Sequence, residues 1–200
     1  MTHENRNERA EAIRVCRELV TLDALVLDTE TTGLDNTAEI VEISLISMSG
    51  RVILDTLVKP RSPIPQEASN IHGITMDMVK DAPDFKELWH AGLHTLLFSR
   101  KIAIYHADYD LRLLQQSCTT HSIPTEQPFE GICIMKLYAG YQGVWDDRYN
   151  KFKWHNLSSA ARQCGLPLPE DLHRSLADIR LTRELILHMA NSSGEQLNLI

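Results

Sequence analysis

Apolar positions along the chain keep two rhythms, and the change from one to the other sets the order of elements. Residues 4 to 20 carry Ala10, Ile13, Cys16 or Arg17, and Val20 at helical spacing with charges between them. That spacing predicts an amphipathic helix used for packing or self-association, the latter as a homodimer. Strand-like runs follow at 24–30, 39–48 and 52–58, the last two separated by the hairpin signal Ser49-Gly50, which predicts an antiparallel meander. In KPRSPIPQEASNIHGIT, Pro60, Pro63 and Pro65 exclude a strand interior and predict an ordered loop leading into a short helix. Asp84 with Glu87 has the form of a capping box and opens a predicted helix to about residue 98.

Strand and helix then alternate. KIAIY (101–105) reads as a buried strand, 108–116 as helix and 132–134 as a short strand, followed by an aromatic and basic connection over 138–155. A helix over 157–164 stops at Gly165, Pro167 and Pro169 keep the chain extended, and a last helix covers 174–189. Three antiparallel strands followed by alternating strands and helices predict an α/β fold, a mixed sheet with helices on both faces.

Composition narrows the setting. The chain has 200 residues, 43% hydrophobic and 24% charged, enough for one domain with a core that needs no covalent staples. No run of 18 apolar residues predicts a membrane span, and the polar start MTHENRNERAEAIRVCREL does not read as a secretory signal, so the expected location is cytoplasmic with no membrane partner. Cys16, Cys118, Cys133 and Cys164 form no C-x-x-C pair, which argues against a disulfide framework and a structural zinc site. A net charge of -7 disfavours a protein that coats long nucleic acid, while a footprint of a few nucleotides at a strand end stays open.

The candidate chemistry lies in three acidic motifs. In LVLDTETTGLD, Asp28 and Glu30 are two apart on a strand and project to one face at the end of a buried run. Taken alone, such a pair reads as a solvated strand end. In YHADYD, Asp108 and Asp110 compete where a buried strand gives way to a helix: Asp108 suits an N-cap, and Asp110, in the first turn, is the better catalytic candidate. In HRSLAD, His173 and Asp178 are five residues apart, about 140° around a helix, so His173 belongs to the preceding loop if both serve one site. Asp178 shares a stripe with Leu181 and Leu185, where an acid is costly unless paired or bound to metal.

The ordered set Asp-x-Glu, Asp, His-x4-Asp resembles the motifs of the DEDDh family of 3'-to-5' exonucleases, which includes polymerase proofreading subunits. VLDTETTGL, EIVEIS, LVKP and IHGIT resemble the family's surrounding sequence, and the likeness runs from about residue 24 to 190. It implies a ribonuclease H-like fold with a five-stranded sheet, and an organisation of helical extension (1–22), exonuclease domain (23–192) and tail (193–200). It implies that Asp28, Glu30, Asp110 and Asp178 hold two Mg²⁺ or Mn²⁺ ions, that His173 is the general base, and that Thr31, Gly33, Leu34 and His72 border the terminal nucleotide. Hard oxygen donors agree with such ions. The expected partners are nucleic-acid 3' ends, DNA before RNA, with a polymerase or repair partner. The competing readings are an RNA-trimming exonuclease and a noncatalytic accessory module. Two departures stand out: His106 where the family usually carries Asn, and Ser175 in place of a common Ala. Tyr141, Trp145, Tyr149 and Trp154, interleaved with Arg148, Lys151 and Lys153, suit either base stacking and phosphate contact or the pinning of a loop to the core.

Overall fold

β1 (Leu25–Thr31) is the strand on which the architecture turns. In this computed structural model, which describes residues 3–193, it pairs antiparallel with β2 (Ile40–Ser47) on one side and parallel with β4 (Ile102–Ile104) on the other. β3 (Val52–Leu57) extends the meander through the turn at Ser49-Gly50, and β5 (Ile132–Cys133) runs parallel to β4, giving a five-stranded sheet of order β3-β2-β1-β4-β5. The predicted mixed sheet is the observed one.

Side-chain alternation sends each strand's residues into two cores. Leu25 and Leu27, Ile43 and Leu45, and Ile102 and Ile104 face one layer, where they meet Phe85 and Trp89, and Leu113 and Leu114 of α6 (Ala107–Thr120). Val26, Ile46, Ala103 and Tyr105 face the other, packed with α1 (His3–Thr21), α7 (Ile134–Gln142) and α9 (Ser175–Ala190). All eight residues of β2 are buried because both of its faces are covered, so it lacks the apolar-polar alternation of a half-exposed strand.

The N-terminal helix forms as expected, but its buried stripe is Ala12, Ile13, Cys16 and Leu19; Ala10 and Val20 are exposed. The expected frame was off because Leu19, not Val20, continues the i, i+3 series from Cys16 onto α9. α1 also packs on α7, where a Cβ at Gly140 would stand 3.3 Å from Glu8 Cβ, so this mid-helix glycine lets the two backbones close up. All four cysteines are free thiols, Cys16 and Cys118 buried.

Past β3 come α2 (Gln66–His72), α3 (Met76–Val79), α4 (Phe85–Leu88) and α5 (His94–Ser99). The capping box is present: Asp84 accepts the Glu87 N–H and Glu87 accepts the Asp84 N–H, both at 2.8 Å. The helix it opens does not run unbroken to residue 98. A kink within Trp89–Leu93 interrupts it, at Gly92 with φ 124, a conformation only glycine adopts freely. The expected connection over 138–155 divides in two. Its first part is α7, with Tyr138 and Tyr141 buried in the core; its second is an antiparallel hairpin of β6 (Trp145–Asp146) and β7 (Lys151–Phe152). α8 (Leu157–Gln163) is capped by Asn156, which accepts the Ser159 N–H at 2.8 Å. Of the expected tail, residues 194–200 lie outside the described residues.

Candidate active site

β1 outruns its parallel neighbour. Its last pair with β4 is Leu27↔Ile104, so Asp28 to Thr31 project past the end of β4, beside the point where α6 begins. This is the carboxyl end of parallel strands at the place where the connections diverge, the usual position of a site in an open α/β sheet. Asp28 and Glu30 share the side of β1 that carries Val26, and this side faces α9. α9 supplies Asp178, and a carboxylate oxygen from each of Asp28, Glu30 and Asp178 lies within 4.8 Å of the others.

Asp110 is not in that tight group. It is 3% exposed at the start of α6 and accepts the Thr29 hydroxyl at 2.8 Å, next along β1 from Asp28. Its charge is still among those that act on Asp28. Asp108, the expected N-cap, is instead an exposed residue of the first turn paired with Lys136 at 2.7 Å; His106 occupies the cap position without a side-chain cap. Of the two aspartates, Asp110 is the one beside the acid pair.

The electrostatics are those of an uncompensated acidic cluster. Burial, then Asp110 and Glu30, push the Asp28 carboxyl well above its ordinary range. Burial, followed by Asp178 and Glu42, raises Glu30 to about 8, and burial raises Asp110 to about 7 against the Thr29 hydrogen bond. Asp178 is also raised by burial, in part offset by the backbone N–H and charge of His173. Among the described residues neither Asp28 nor Glu30 is in a salt bridge. Several carboxylates held together with no salt bridge to Asp28 or Glu30 among the described residues, all of them hard oxygen donors, fit divalent cations such as Mg²⁺ or Mn²⁺.

His173 sits in the loop before α9, as the rotation argument requires. Its backbone is left-handed at φ 68, and its N–H lies 3.4 Å from Asp178 Oδ1. The next residue anchors that turn. Arg174 donates from Nε to both oxygens of Glu42 at 3.1 Å and from Nη2 to one of them, while the Ser175 N–H donates to Glu42 Oε2 at 2.9 Å. Burial works to raise the Glu42 carboxyl, but these hydrogen bonds outweigh it and hold it below its ordinary range. Sequence reasoning missed Glu42. It lies directly across from Glu30 in the β1–β2 register; EIVEIS, which contains it, resembles the family's surrounding sequence, but its role at the site shows only in that pairing of distant segments. Ser175, one of the two departures, hydrogen-bonds Ser44 of β2 through its hydroxyl at 2.5 Å and so adds a second tie at the same point.

The four residues expected to border a nucleotide cluster beyond Glu30, with unlike environments. The Thr31 hydroxyl contacts Gly33 O at 2.8 Å and the Tyr109 hydroxyl at 2.7 Å, and Tyr109 also reaches Gly33 O. Arg112, one turn along α6, donates to Leu34 O at 3.1 Å and Asp35 O at 3.0 Å. The loop is therefore fixed by the helix that carries Asp110, while the Leu34 side chain stands 82% exposed. Tyr109 and Arg112 were also missed; their signal was position alone, one residue before and two after Asp110. His72 is buried: the Ile74 N–H donates to Nδ1 at 3.0 Å, so Nε2 carries the proton and faces Thr31 O at 3.3 Å. With both ring nitrogens engaged, His72 backs Thr31. His106, the other departure, stacks on Tyr109 with ring planes 12° apart.

A family model described as Exonuclease (RNase_T) matches residues 25–186, which include every acid of the cluster and His173. The chain belongs to this exonuclease family. It is 43% identical over 177 residues to the uncharacterized exonuclease CP81 of Escherichia phage 186, covering 86% of this chain and 90% of that one. To exodeoxyribonuclease 10 of Escherichia coli K12 it is 30% identical over 175 residues, covering 84% of this chain and 69% of the relative. Exonuclease X, solved in complex with 5' overhanging duplex DNA, is similar in structure with a TM-score of 0.61 and 28% identity, over 86% of this chain and 93% of that one. The five-stranded sheet with its two helical layers is the ribonuclease H-like fold of these exonucleases.

Proposed function

We propose that this exonuclease hydrolyses the phosphodiester bond at the 3' end of a DNA strand and releases nucleoside 5'-monophosphates. The observation that carries the reading is the convergence of Asp28, Glu30 and Asp178 from two separate elements at the strand end, inside the segment that matches the exonuclease family. DNA is preferred because exodeoxyribonuclease 10 and exonuclease X are the relatives in view.

In this reading Asp28, Glu30, Asp110 and Asp178 hold two Mg²⁺ or Mn²⁺ ions, which when bound supply charge stabilisation on the phosphate and on the oxygens entering and leaving it. His173 removes the proton from the attacking water as the P–O3' bond breaks; a histidine side chain ordinarily titrates near neutrality, and its loop position leaves it free to meet substrate. Thr31, Gly33 and Leu34 receive the terminal nucleotide on the loop that Tyr109 and Arg112 hold, with His72 behind them. The helix His3–Thr21 is an extension that completes the core of the exonuclease domain, 23–192. A polymerase or repair complex is the expected partner.

The test is incubation of 3'-labelled and 5'-labelled DNA and RNA oligonucleotides with and without Mg²⁺. The reading requires Mg²⁺-dependent loss of the 3' label as mononucleotide from DNA, with a ladder of shortened 5'-labelled products. Release of 5' mononucleotides first, or faster cleavage of RNA, contradicts the polarity or the sugar preference.

A further inference from the structure

Between α7 and α8 the chain leaves the core as the β6–β7 hairpin, to which the reaction above gives no task. The hairpin is ordered from within. Asp146 accepts the Arg148 N–H at 3.1 Å, Asn150 takes a left-handed φ of 49, and Trp145 packs edge-on to Phe152 with centroids 5.2 Å apart. Yet its aromatic rings are largely in solvent: Trp145 is 45%, Tyr149 62% and Trp154 41% exposed. The Lys151 ammonium lies 3.4 Å from the centroid of Trp154 and 5.5 Å from that of Tyr149, which holds cation and rings on one surface. Among the described residues none of Arg148, Lys151 and Lys153 is in a salt bridge. These cations outnumber the hairpin's acids, Asp146 and Asp147, in a chain whose net charge is -7.

The hairpin is also tied to the end of the strand beside β1. The Tyr105 hydroxyl donates to the His155 carbonyl at 2.7 Å, immediately past the last aromatic. Tyr105 follows Ile104, the partner of Leu27, so it stands level with Asp28 and packs on the same side of the sheet. One tyrosine side chain therefore separates the level of the proposed metal ligands from the root of the hairpin.

The geometry points to the β6–β7 hairpin as a second binding site, for the single-stranded nucleic acid that runs back from the 3' end held at the acids. This rests on the exonuclease reading and adds to it a site away from the scissile bond. Exposed rings, Trp154 through the face opposite Lys151, bind unstacked bases of any sequence, and cations without a carboxylate partner bind the phosphates between them, whereas a duplex keeps its base faces covered.

The experiment compares the full chain with the double variants Trp154→Ala/Tyr149→Ala and Lys151→Gln/Lys153→Gln, each checked by thermal melting. Two substrates are used with Mg²⁺: a 20-nucleotide single-stranded DNA, and the p-nitrophenyl ester of thymidine 5'-monophosphate, too small to reach the hairpin. The ratio of kcat/KM for the long over the short substrate should fall about tenfold in either variant, mainly through KM. In parallel, anisotropy of labelled oligothymidine in EDTA should show weaker binding, and the lysine variant should lose roughly 0.7 per cation from the slope of log affinity against log salt. An unchanged ratio with unchanged binding overturns the inference. So does loss of a dimer in the aromatic variant without any change in binding, which would assign the surface to a second copy. If the unaltered protein cleaves neither substrate, the proposed function falls, and the anisotropy series still decides whether the hairpin binds single strands.

Discussion

His173 and Arg174 show how two adjacent residues divide the work at the proposed centre. A non-glycine residue at φ 68 persists only where its surroundings hold it, and here the Arg174–Glu42 pair fixes the next residue while Asp178 receives the His173 N–H. His173→Ala should leave the melting temperature within a degree or two and lower kcat by about 10² to 10⁴, the usual worth of a general base. Full turnover in that variant rejects the role. Arg174→Met acts differently, because it strands a buried carboxylate beside Glu30. The expected loss is about 2 to 3 kcal/mol, below the full figure for a broken buried pair because Arg174 is itself 38% exposed. Adding Glu42→Gln should restore part of that stability in a urea melt; a fully additive double variant would show that the pair does not interact. At this scale the sequence was legible where the signal was local. The two-residue spacing of Asp28 and Glu30 and the five-residue spacing of His173 and Asp178 each forced a geometric conclusion. The role of Glu42 was not legible, although EIVEIS resembles the family's sequence, because its neighbour Glu30 lies twelve residues away and strand register brings them together.

Three elements deliver the acids: β1, α6 and α9. The positions of these elements depend on the layers behind them, and α1 is part of that support. Leu19 and Cys16 are fully buried among residues of α9 and the sheet, so the helix before the family-matching segment completes the core beneath Asp178. Leu19→Ala should cost about 2 to 5 kcal/mol by the cavity it leaves. For a domain of this size that corresponds to roughly 4 to 20 °C in melting temperature, which differential scanning calorimetry would register. A shift under 2 °C would mean that α1 is peripheral. Period and caps made most elements readable, including the Asp84 capping box and the final helix. α7 was missed because its glycine and aromatics read as loop, whereas Gly140 is there for the close approach of α1. The break at Gly92 was missed because a lone glycine inside a helical pattern is often tolerated, whereas here its φ of 124 kinks the chain.

For the whole molecule the unbalanced charge of the site should govern stability. Carboxyls raised by burial hold protons in the folded state that the unfolded chain releases above about pH 4. Without metal, the stability these carboxyls contribute is therefore fullest below that pH and falls as pH rises through about 7, where Asp110 titrates, and about 8, where Glu30 does. The melting temperature in EDTA should decline from pH 7 to 9, above the range in which the buried and half-buried histidines His72, His121, His155 and His188 titrate, and millimolar Mg²⁺ should restore it, most at the upper end. Asp28→Asn should raise the EDTA melting temperature at pH 8 and reduce the Mg²⁺ response. A flat pH profile, with no response to metal, argues against an assembled acidic centre. The most direct measurement is anomalous diffraction from crystals of the protein grown with Mn²⁺ and a deoxynucleoside 5'-monophosphate. Two manganese peaks bounded by Asp28, Glu30, Asp110 and Asp178, with the nucleotide phosphate beside them, are the expected result; density for the nucleotide elsewhere and no manganese among these acids would contradict it.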